Sequence, residues 1–129
     1  MRLTGTQVGD KGLAHLERLA NLKRLYLGQT KVTDAGLEHL KNLEQLQTLH
    51  VRGAQISDVG LTHLKGLTGL QLLNLCQTQV TNAGFQHLEG LVNLQHLYLA
   101  GTRVTVEAVK NYKEKLQSMN SETKINVRY

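Results

Sequence analysis

Four histidines stand 24 residues apart, at His15, His39, His63 and His87, each just before a leucine. Imidazole is a common zinc ligand, so the column raises the question of a metal centre. In such a centre the ligand nitrogens converge to roughly 2.0–2.1 Å from one ion. Histidines placed one per helix instead form a ladder with steps of about 8–10 Å, and four such groups cannot converge. The spacing therefore predicts imidazoles packed on helix flanks and bonded to neighbouring turns. It implies no metal site and no cofactor.

Nucleophiles are equally poor in context. Ser57, Ser118 and Ser121 lack a G-x-S-x-G setting, and no P-loop or G-x-G-x-x-G follows a strand pattern. Ser57 reads as a helix cap, and Ser118 and Ser121 as terminal-loop residues. Cys76 is the one cysteine. Arg52 one rung away would favour its thiolate, but no general base is in reach, and a free surface thiol is expected. No catalytic residue is expected, and an enzyme ranks last among the functional readings. A lone cysteine excludes an internal disulfide framework. It favours a reducing, cytoplasmic setting, although a piece of a secreted protein would look the same. No stretch has the length and apolarity to span a membrane, and no signal-peptide pattern opens the chain.

The elements that carry these residues follow from a repeat. Residues 22–45 read LKRLYLGQTKVTDAGLEHLKNLEQ, and near-copies fill 46–69, 70–93 and 94–117. Residues 1–21 match the later part of an earlier copy, and 118–129 read as a loop and a capping strand with Ile125 and Val127 inward. The 129 residues thus form one domain in which each unit buries its apolar face against its neighbours. Each copy begins with strict alternation, Leu25 and Leu27 inward and Tyr26 outward, which is strand spacing. It continues with Val32, Ala35, Leu37, Leu40 and Leu43, which fit one buried helix face. Thr33, Ser57, Thr81 and Thr105 take the N-cap position. Asp10, Asp34 and Asp58 follow in the first turn, where acids suit the helix dipole. Gly12, Gly36, Gly60 and Gly84 fall where one helix crowds the next. About six strands are expected, with helices over 10–20, 34–44, 58–68, 82–92 and 106–118.

The L-x-x-L-x-L blocks at Leu22/Leu25/Leu27, Leu46/Leu49/Val51, Leu70/Leu73/Leu75 and Leu94/Leu97/Leu99, each followed by T-D-A-G-L or a variant, resemble the leucine-rich repeat family. The likeness is nearest the subclass of cysteine-containing and ribonuclease-inhibitor-like repeats. It implies an α/β right-handed solenoid, or horseshoe, with a parallel sheet on the concave face and helices on the convex face. The family's Asn or Cys ladder after the strand is replaced by Thr6, Thr30, Ala54, Thr78 and Thr102. The threonine hydroxyls are expected to bond turn backbone in the adjacent coil, and Ala54 to lack that bond.

Outward strand positions fall into three columns. Arg24, Thr48, Leu72, His96 and Lys124 form the first. Arg2, Tyr26, His50, Asn74, Tyr98 and Asn126 form the second. Thr4, Gly28, Arg52, Cys76, Ala100 and Arg128 form the third. None is acidic, so the formal charge of +5 concentrates on this face. A solvated sheet needs polar residues in any case. Two tyrosines in one column and an exposed Leu72 nevertheless look like anchors. The expected site is Arg24, Tyr26, His50, Arg52, Leu72, Asn74, His96 and Tyr98, gripping an acidic or polar protein partner. A structural spacer within a larger protein is the alternative reading. Nucleic-acid binding ranks below both, because two tyrosines make a thin stacking platform. The first coil has nothing before it to cover Leu3, Val8, Leu13 and Leu16. The chain therefore reads as a fragment or as a protein with a self-associating edge.

Overall fold

The computed structural model describes residues 1–120 and 122–129. Five short parallel strands form one sheet in chain order: β1 (Arg24–Tyr26), β2 (Thr48–His50), β3 (Leu72–Asn74), β4 (His96–Tyr98) and β5 (Asn126–Arg128). The sixth expected strand is reduced to one rung. Arg2 bridges Tyr26 in parallel, with Leu3 N donating to Tyr26 O and Tyr26 N donating to Met1 O. The helices α1 (Asp10–Leu13), α2 (Asp34–Leu37), α3 (Asp58–Leu61) and α4 (Val106–Met119) lie on the other side. This is the α/β solenoid that the repeat implies.

The convex elements are shorter than expected. The helices α1, α2 and α3 give way to 3-10 turns at Ala14–Arg18, Glu38–Leu40 and Thr62–Leu64, and the repeat at 70–93 has a 3-10 turn alone, Asn82–Leu88, among the described residues. Strands about 4.8 Å apart cannot carry full α-helices at about 8–10 Å without a strong bend. A 3-10 turn is slimmer and relieves that mismatch. Only α4, in the divergent last repeat, runs for 14 residues.

Leucines from both sides meet in one continuous core. Leu25, Leu27, Leu37, Leu40, Leu49, Leu61, Leu73 and Leu97 are all fully buried. Leu13 and Leu16, expected to lack cover, are buried as well, whereas Leu3 and Val8 are partly buried against the same cluster. Ile125 and Val127 also pack against it. Ser118 lies in the last turn of α4 rather than in a loop, and Ser121 lies outside the described residues.

The seam between coils is built by the aspartates. Asp10 accepts from Thr33 N at 2.8 Å and from the Thr33 hydroxyl at 2.6 Å. Asp34 does the same for Ser57, and Asp58 for Thr81. Each carboxylate thus clasps the cap residue of the next coil, a larger role than the dipole partner that sequence suggested. A Cβ at Gly36, Gly60 or Gly84 would overlap the carboxylate of Asp10, Asp34 or Asp58 respectively, so the D-x-G spacing leaves room for the clasp. Ser57, Thr81 and Thr105 also cap their helices through the hydroxyl; Thr33 does not. The threonine ladder differs from expectation too. Thr6, Thr30, Thr78 and Thr102 donate to Leu3, Leu27, Leu75 and Leu99 O within their own coil, not the adjacent one. The carbonyl three residues back is simply nearer. Ala54 retains only the backbone bond, from its N to Val51 O.

Candidate functional site

Alternation sends Leu25, Leu49, Leu73 and Leu97 inward and leaves two outward side chains per strand. Parallel in-register pairing then stacks the outward residues into rows. Arg24, Thr48, Leu72 and His96 form one, and Tyr26, His50, Asn74 and Tyr98 the next.

Side chains of the second row touch one another from Arg2 to Asn74. The Arg2 guanidinium lies 5.5 Å from the Tyr26 ring centre, and Tyr26 stacks on His50 at 4.7 Å. Asn74 Oδ1 accepts from Cys76 N at 3.0 Å, so its amide nitrogen is what faces His50 Nδ1 at 3.4 Å. That places the imidazole proton on Nε2. Burial pushes the His50 pKa down from its ordinary 6.5, which favours the same neutral ring. At the far end the Arg128 guanidinium lies 6.0 Å from the Tyr98 ring centre.

Beyond this row, Arg52 donates from Nε to Gln77 Oε1 at 3.1 Å. Thr4, Tyr26, Gly28, Gln29, His50 and Arg52 line an open pocket of ≈ 240 Å³. Arg24 is exposed at the rim, while Leu72 and His96 are half-buried. Leu72 is therefore less available than the sequence reading had it, because Thr48 and His96 flank it on the adjoining strands.

The last column assignment is corrected by two residues. Asn126 pairs with His96, and Arg128 with Tyr98, in place of Lys124 and Asn126. The long helix α4 and its loop lengthen the final coil, and a shift of two keeps Val127 facing inward. Gln77 and Gln29 escaped the sequence reading altogether. Both adopt left-handed backbone, at φ of 58° and 54°, where the equivalent positions are Gly5, Gly53 and Gly101. The alternation Gly-Gln-Gly-Gln-Gly at one register was the available signal. The histidine column behaves individually: His39 Nδ1 pairs with Glu17 Oε1 of the preceding coil, whereas His87 Nδ1 is buried without a partner among the described residues. Cys76 is a half-buried free thiol.

Comparison with known proteins follows the architecture. A family model described as Leucine rich repeat matches residues 44–104. Internalin C2 of Listeria monocytogenes is similar, with 30% identity and a TM-score of 0.69 over 86% of this chain and 46% of its own. A leucine-rich repeat protein of Leptospira interrogans shares the fold at 21% identity, with a TM-score of 0.64 over 90% of this chain and 27% of its own. The ectodomain of the Arabidopsis thaliana receptor kinase SOBIR1 does so at 21% identity and 0.55, over 75% and 55% of the two chains. The chain thus spans less than two thirds of each of these proteins. No curated protein matches the sequence significantly. Among the described residues no helix is long and apolar enough to cross a membrane. With the strand blocks, the clasped coils and these matches together, the chain has the leucine-rich repeat fold.

Proposed function

We propose that the chain is a single, non-catalytic protein-interaction domain whose sheet face grips an acidic or polar partner. Leucine-rich repeat relatives favour an interaction module in general. The observation that carries the finer reading is the in-register row Arg2, Tyr26, His50, Asn74, Tyr98 and Arg128, with cations stacked on aromatics at both ends. Tyrosine and arginine give large contact area at low entropic cost and are frequent interface anchors. Arg24, Arg52, Leu72 and His96 border the row.

The test compares capture and affinity for a co-purifying protein between the wild type and three variants, each checked for unchanged melting. Tyr26→Ala and Tyr98→Ala should each cost on the order of 2 kcal/mol of binding. Lys65→Ala, on the exposed convex side, should cost little. Loss in Lys65→Ala with both tyrosine variants binding normally would put the interface on the convex side. A ligand that proves to be nucleic acid, with a steep salt dependence, would replace the protein partner.

A further inference from the structure

Arg52 combines features that its neighbours on the sheet face lack. Its Nε is occupied by Gln77, which fixes the plane of the guanidinium and leaves the two terminal nitrogens for a ligand. It opens onto the pocket walled by Tyr26 and His50. The Tyr26–His50 stack offers a flat apolar side, and the depressed His50 pKa keeps that wall neutral at pH 7. The sheet-face rows contain no acid that could satisfy Arg52 from within the chain.

Gln77 holds this arrangement at a conformational cost. A residue with a Cβ in left-handed backbone is destabilised relative to glycine. Gly5, Gly53 and Gly101 avoid that cost at the same register. At Gln77 the side chain that glycine would lack is the one that accepts from Arg52.

Resting on the proposed sheet-face interface, we infer that Arg52 is a receptor for a carboxylate side chain in an extended acidic segment of the partner, with Gln77 as its positioning residue. A planar guanidinium with its two terminal nitrogens free matches a carboxylate in the two-pronged geometry. Arg128 supplies a second cation across the sheet, beside Tyr98. Three strand spacings separate the two, roughly 15 Å, and an extended chain rises about 3.3 Å per residue, so acids about four or five residues apart would meet both. Paired cations favour a segment with several side-chain carboxylates over a single chain terminus.

The experiment selects random peptides with amidated C-termini on the full chain and measures the enriched ones by fluorescence anisotropy. The expected result is a pair of Asp or Glu residues about four or five apart. Binding should weaken about tenfold or more in Arg52→Ala, as expected for losing hydrogen bonds between charged groups. Gln77→Gly should bind several-fold more weakly while melting at the same or a higher temperature, a split that a merely structural role would not give. Acid-free winners, or no winners with amidated termini, would overturn the inference. So would Arg52→Ala binding normally while Tyr98→Ala does not; that pattern leaves the sheet-face interface standing. Loss in Lys65→Ala but not in Tyr98→Ala would instead overturn the interface itself. Equal affinity in Gln77→Gly would remove Gln77 from the argument.

Discussion

The seam that joins the coils and the row that crosses the sheet are built on opposite plans. Along the seam the same residues make the same bonds three times: Asp10 to Thr33, Asp34 to Ser57, and Asp58 to Thr81. Across the sheet only the arginine–tyrosine stacking recurs, once at each end, and the rungs between differ. Tyr26 stacks, Asn74 bonds, and Arg52 turns to Gln77. A contact that every coil repeats serves the stacking of coils. A position free to differ at each rung carries no such duty, and it is there that a partner can be specified. The last joint sharpens the contrast, because Asn82 replaces the aspartate toward Thr105, and Ala108 stands where the glycine would be.

The largest effects should therefore come from the seam. Gly60→Ala sets a methyl group against the Asp34 carboxylate, and overpacking of this kind costs about 1–3 kcal/mol. Asp58→Ala removes two charge-assisted bonds and leaves Thr81 N without its acceptor, for about 2 kcal/mol. Arg24→Ala, exposed on the sheet, should fall within about 0.5 kcal/mol of the wild type. Urea midpoints at constant slope measure all three. The contrast breaks if Arg24→Ala costs as much as Asp58→Ala.

A smaller, opposite effect is expected where the repeat is incomplete. Ala54 occupies the place from which Thr30 and Thr78 donate to the carbonyl three residues back. Ala54→Thr restores a buried bond to Val51 O and should raise stability by about 0.5–1 kcal/mol. Thermal unfolding decides it. A drop would mean that the second turn has closed around alanine and lacks room for the hydroxyl.

The same division explains what could be read from sequence. Strand positions, core leucines and cap residues were legible because each is fixed by period and polarity, and both recur with every coil. The partner of Asp34 was not legible, because a first-turn aspartate has a sufficient local explanation in the helix dipole. Helix lengths were overestimated because apolar periodicity does not distinguish an α turn from a 3-10 turn that buries the same face. The β5 register was missed by two residues because a two-residue shift preserves the alternation from which register is inferred. On the sheet face, Tyr26 and His50 were placed in one column from the period alone, and they do stack. The left-handed turn of Gln77 depends on a backbone angle that no side-chain pattern encodes, beyond the glycines at neighbouring rungs.

The smallest expected effect tests whether the row, though unrepeated, is coupled to folding at all. His50 is held below its ordinary pKa of 6.5 by burial. The unfolded chain therefore takes up a proton at this site before the folded chain does. Stability is fully retained above pH 6.5 and is lost as pH falls from there toward the folded pKa. The comparison is with His50→Gln, which keeps a polar neighbour for Asn74 and cannot titrate. The wild type should lose stability relative to His50→Gln on acidification from about pH 7 to pH 5, and the difference should be flat above pH 7. A protonated ring would also meet the Asn74 amide hydrogens at Nδ1, donor against donor, which adds to the loss in the same direction. A difference that stays constant through this interval would show that His50 titrates as freely folded as unfolded, and that the row rests on the sheet without being part of its stability.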